Sequence, residues 1–71
     1  MIKPVNYKNA FQRYLWEEVL PHITRKEIAD RIGMPMPTLN AYIYGRSTPP
    51  AWMEYLLRDE IIKMLEEKKW Q

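Results

Sequence analysis

Side chains able to do covalent or metal chemistry are few and scattered in this chain, which turns the question toward binding. His22 is the only histidine and cysteine is absent, so a thiolate metal site, a disulfide framework and a cysteine nucleophile are excluded together. No carboxylate cluster accompanies His22 in the sequence, so it reads as a loop residue rather than a metal ligand or a catalytic base. Ser47 and Thr48 lie beside no base that could activate a hydroxyl. The expectation is a non-enzyme with no cofactor, no metal and no small-molecule ligand.

Cations carry the remaining signal. Arg25 and Lys26 open a helical segment and Arg46 follows a glycine. A solvated face is the plain reading for all three, since exposed charge is common and of little consequence. A cation in a helix's first turn opposes the macrodipole, however, and this favours a phosphate partner. The chain carries a net charge of +2 and a pI near 9.0. Residues 1–50 hold seven Lys or Arg against four Asp or Glu, whereas residues 51–71 hold four against five. The basic excess therefore sits with these three cations, as it would in a protein that meets a polyanion.

Holding such groups in place requires a folded scaffold. At 71 residues there is room for one domain (1–71), which buries only about 60% of its unfolded surface. Apolar residues make up 46% and charged residues 28%, a globular composition. No apolar run approaches the roughly 18 residues of a membrane span. The stretch Met1-Ile2-Lys3-Pro4-Val5 lacks the apolar core of a signal peptide, and the expected location is cytoplasmic.

The pattern is helical throughout. Asn6 is the expected N-cap of a first helix with apolar residues at Phe11, Tyr14, Leu15, Val19 and Leu20, stopped by Pro21. Thr24-Arg25-Lys26-Glu27 is a capping box that starts a second helix with Ile28, Ala29 and Ile32 on its apolar face. Gly33 supplies a left-handed terminus, and Pro37 suits the first turn of a third helix. On that helix Leu39, Tyr42 and Ile43 share one arc, while Pro37, Asn40, Ala41 and Tyr44 point the other way. Gly45 ends it, and residues 46–50 form a turn-rich loop. From Ala51 to about Lys69 nothing interrupts the pattern, which fits one long helix or two with a bend near Asp59. The fold class is all-α, a single domain of four or five helices.

Aromatic residues of that last segment, Trp52, Tyr55 and Trp70, are expected in the core. Trp52, Met53, Leu56, Leu57, Ile61, Ile62, Met64 and Leu65 nevertheless cover more helix circumference than so small a body can bury. Part of this surface, assigned to Ile61, Ile62, Met64 and Leu65, is expected to meet a second copy in a symmetric dimer.

Ala29-x3-Gly33-x5-Leu39-x2-Tyr42, followed by Gly45-Arg46 and a proline, resembles the Cro and lambda-repressor (XRE-type) helix-turn-helix family over roughly residues 23–50. The resemblance implies a lambda-repressor-like domain, with the motif at about 24–45 and the C-terminal segment at about 51–69. It implies phosphate contacts from Thr24, Arg25, Lys26, Tyr44 and Arg46, and base contacts from Met36, Pro37, Thr38, Asn40 and Ala41. Asn40 can pair bidentately with adenine, Thr38 can bond either class of base edge, and Met36 or Ala41 can pack on a thymine methyl. Met36 and Pro37 stand where family members usually have Gln or Ser, which shifts weight from direct readout to DNA shape. Ile43 stands where some members have an acid paired with a base of helix 1, implying an apolar contact instead. The implied function is a transcriptional regulator binding double-stranded DNA, a phage or bacterial repressor of the Cro type acting as a homodimer on a two-fold operator. An antitoxin or operon autoregulator shares the same motif. A protein-interaction module using its apolar C-terminal helix is the rival from another class.

Overall fold

Asn9, not Asn6, starts the first helix, α1 (Ala10–Tyr14), in the computed structural model, which describes residues 3–69. The side-chain oxygen of Asn9 accepts from the backbone N–H of Gln12 at 2.8 Å, and Gln12 Oε1 accepts from the backbone N–H of Lys8 at 2.6 Å. This is a reciprocal cap of the Asn-x-x-Gln kind, and it displaces the start by three residues because Asn6 has no such partner three positions on. Helix α1 continues directly into a π-helical stretch, Leu15–Val19, in which the Leu20 N–H reaches back to the Leu15 carbonyl at 2.8 Å. The wider turn keeps Leu15, Trp16 and Val19 all buried, in line with Phe11 and Gln12.

Helix α2 (Arg25–Ile32) opens with the expected capping box, Thr24 Oγ1 accepting from the Glu27 N–H and Glu27 Oε1 from the Thr24 N–H, both at 3.1 Å. It closes on Gly33 at φ 78°, where the N–H groups of Gly33 and Met34 both donate to the Ala29 carbonyl. Helix α3 (Met36–Ile43) begins three residues later, with Pro35 as N-cap and Pro37 in its first turn. A seven-residue loop, held by the Arg46 and Ser47 N–H groups on the Ala41 carbonyl, leads to α4 (Ala51–Lys69), a single uninterrupted helix. The described residues are thus all-helical, in four helices, and none is long and apolar enough to cross a membrane.

One core joins the four: Leu15, Val19, Ile23, Ile28, Leu39, Ile43, Leu57 and Ile61 are essentially inaccessible. Two expectations for α4 are corrected here. Ile61 and Met64, assigned to a dimer contact, are buried within the domain's own core, because α4 turns the stripe Leu57, Ile61, Met64 toward it. Only Ile62 of the four is exposed, with Leu65 half-buried. Conversely Trp52 and Tyr55, expected inside, are 65% and 78% exposed, since they lie on the opposite arc of the same helix. Trp70 lies outside the described residues. Arg31 pins the C-terminal half of α4 to α2, gripping Glu67 through two 2.9 Å hydrogen bonds and Glu60 at 3.1 Å, and Lys68 meets Glu27 at 3.1 Å. The Arg31 guanidinium accordingly holds the Glu67 carboxyl below the usual carboxylate range. Glu27 is lowered first by the Thr24 N–H and then by Lys68.

The two glycines differ in a way that can be measured. Both have positive φ, 78° and 76°. A Cβ on Gly33 would meet open space, whereas one on Gly45 would come within 2.6 Å of Lys8 Cγ and 3.1 Å of Gln12 Nε2. Gly33→Ala should therefore cost only the left-handed strain of about 1–2 kcal/mol, and Gly45→Ala distinctly more because Lys8 and buried Gln12 must also move. Chemical denaturation of the two variants checks the order, and equal losses would mean that α1 does not approach the end of α3 so closely.

Candidate nucleic-acid interface

Helix α3 has two unlike faces. Leu39 and Ile43 are buried against the core, while Met36, Pro37 and Thr38 are exposed and Asn40 and Ala41 are half-buried. Between Asp30 and Glu54 the chain contains no acidic residue, so α3 and both its flanking links carry no negative side chain. The outer face is short, uncharged and rimmed by cations from neighbouring segments.

Arg25 organises that rim. Its Nη1 donates to Asn40 Oδ1 at 2.8 Å and its Nη2 to the Tyr44 hydroxyl at 2.9 Å. Its guanidinium carbon lies 4.9 Å from the Tyr44 ring centroid and 5.7 Å from that of Trp16. Arg46 stands over the same Tyr44 ring at 5.8 Å. Aromatic faces and neutral acceptors fix a guanidinium without neutralising it. The first-turn conflict with the α2 dipole is therefore eased by geometry while the positive charge remains available.

Helix α3 is anchored from behind by hydrogen bonds that spacing alone does not reveal. The Ile43 carbonyl, among the last of the helix and short of intrahelical partners, accepts from Trp16 Nε1 at 2.8 Å and from Gln12 Nε2 at 2.9 Å. The Ile43 side chain is buried in the same core as Phe11 and Leu15, and these two donors supply a polar link to its carbonyl. A buried indole N–H needs an acceptor, so Trp16 was a signal of some such contact. Which carbonyl it would find depends on the fold.

The remaining expected residues divide. Thr24 uses its hydroxyl within the cap, accepting from the Glu27 N–H and donating to Glu27 Oε1 at 3.1 Å. Lys26 is exposed and pairs with Asp30 one turn on at 2.9 Å. Arg46 is exposed and makes no ion pair among the described residues. Lys8, which the sequence did not single out, is exposed and lays its stem against Gly45, the residue before Arg46. Asn9 reaches Thr48 Oγ1 at 3.4 Å, holding the loop after α3 to the start of α1. Asn40 and Ala41 are less outward than their helical positions suggest, Asn40 because it leans under Arg25.

Other surfaces offer less chemistry. His22 is exposed in the turn before α2 and borders an open groove with Glu18, Ile62 and Leu65. Among the described residues no three His, Cys, Asp or Glu side chains converge as they would around a metal ion. Compared with protein-family models, curated proteins and solved structures, the chain has no match.

Proposed function

We propose that the chain is a sequence-specific double-stranded DNA-binding regulator, with α2 and α3 acting as a helix-turn-helix of the Cro and lambda-repressor type and α3 as the helix that enters the major groove. One observation carries this reading. An eight-residue helix is bolted to the body through Leu39, Ile43 and the Ile43 carbonyl, and presents an acid-free outer face with Arg25 and Arg46 beside it, both held against Tyr44. Base edges require short polar and apolar side chains at the centre of such a face, and phosphates require cations at its borders. Met36, Pro37, Thr38, Asn40 and Ala41 supply the centre. Arg25, Tyr44, Arg46 and Lys26 lie at the borders, while Thr24 acts mainly through the helix cap.

Binding to duplex DNA should fall steeply with salt, because each neutralised phosphate releases counterions. Arg46→Ala should lower the slope of log K against log salt by about one unit, nearly equally on any sequence. Titrations of wild type and variant at several salt concentrations measure this. An identical slope for both would remove Arg46 from the phosphate contacts, and no salt-dependent binding by the wild type would sink the DNA reading.

A protein contact on α4 is the second reading, favoured by the exposure of Trp52, Tyr55 and Leu56 on one arc of its first turns. The two are compatible, since a Cro-type repressor acts as a homodimer. In that case the second copy would cover this arc or Ile62, and not Ile61 or Met64.

A further inference from the structure

We infer that Asn40 and Arg25 form a donor-rich unit that selects guanine, a deepening that rests on the DNA-binding reading above. Asparagine pairs with adenine bidentately by accepting from N6–H through Oδ1 while donating to N7 through Nδ2. In this fold Oδ1 is already an acceptor, 2.8 Å from Arg25 Nη1. Because a guanidinium can only donate, the atom facing it must be the oxygen, which fixes the amide with Nδ2 as its free end. Oδ1 keeps a second lone pair. A bond there, however, would bring the positive end of the adenine N6–H dipole beside a fixed guanidinium charge 2.8 Å from the same oxygen, which disfavours adenine relative to a base edge made of acceptors.

The guanidinium is also held still. Tyr44 accepts from its Nη2, and the Trp16 and Tyr44 rings lie within 5.7 Å and 4.9 Å of its carbon. Three of its five N–H groups stay uncommitted by these bonds. Together with Asn40 Nδ2 they leave a surface on which donors outnumber acceptors, since Oδ1 and the Tyr44 hydroxyl oxygen are both engaged by the guanidinium. Guanine is the base whose major-groove edge offers two acceptors, O6 and N7, whereas adenine and cytosine each expose an amino donor there. The pairing of Arg25 with Asn40 thus converts an adenine reader into a guanine reader.

The test uses the full chain and a library of randomised duplexes, followed by replacement of each selected guanine with 7-deazaguanine, which removes the N7 acceptor and keeps base pairing. One G·C pair should lose about tenfold or more in affinity on that replacement, and Asn40→Ala should abolish the difference. Arg25→Met, which keeps an apolar stem against Trp16 and frees Oδ1, should move the preference at that pair to adenine. Adenine at the Asn40-dependent position of the wild-type site, or 7-deazaguanine without effect at every selected guanine, would overturn the assignment. Retention of duplexes without any enriched sequence would overturn it too while leaving phosphate binding intact. Absence of retention would instead bring down the DNA-binding reading itself.

Discussion

Ile61→Ala should destabilise the domain by about 2–5 kcal/mol, while Ile62→Ala, one position along the same helix, should change stability by less than about 0.5 kcal/mol. Ile61 is fully buried and Ile62 is 53% exposed. The former leaves a cavity between α4 and the rest of the core; the latter trims a side chain in contact with solvent. In a domain of this size the total stability is small, near the low end of about 5–15 kcal/mol, so the Ile61 variant should be substantially unfolded at physiological temperature. Truncation after Leu57 should do worse, because it removes Ile61, Met64 and both carboxylates that Arg31 grips. Urea titrations of the two point variants distinguish a core role from an interface role. A larger and concentration-dependent loss for Ile62 than for Ile61 would restore the view that this part of α4 meets a second chain.

Features encoded within a few residues were legible in the sequence. The Thr24 to Glu27 capping box, the left-handed Gly33 and the proline-led start of α3 each need only local backbone chemistry, and each takes its expected form. The Asn-x-x-Gln cap at Asn9 is equally local, and it outcompetes Asn6 because Gln12 returns the bond. Helix α4 differs. Its apolar residues spread so far around the helix that periodicity names no single inward arc, and only packing into the shared core chooses Leu57, Ile61 and Met64 over Trp52, Tyr55 and Ile62. The site divides in the same way. The chemistry of Arg25 and Asn40 is plain from their identities, but they stand on different helices, fifteen positions apart. No spacing rule predicts that one occupies the other's oxygen.

Trp16→Ala should be among the most damaging single changes in the chain, costing about 3–5 kcal/mol from lost packing alone. Trp16 is buried, its ring lies 6.1 Å from that of Tyr44 and 5.7 Å from the Arg25 guanidinium, and its N–H bonds the Ile43 carbonyl. Trp16→Phe separates these roles. It keeps much of the apolar volume and removes the indole donor, but Gln12 Nε2 still satisfies the same carbonyl, so the loss from that bond should be only about 1 kcal/mol. Adding Gln12→Ala to the Trp16→Phe variant then leaves the carbonyl with neither donor and should cost more than the two single losses added together, because an unsatisfied buried acceptor bears its full desolvation penalty. Chemical denaturation of wild type, the two single variants and the double variant closes this cycle. Strict additivity would mean that water reaches the Ile43 carbonyl once either donor is gone, and that α3 is anchored by Leu39 and Ile43 packing rather than by the polar link from Gln12 and Trp16.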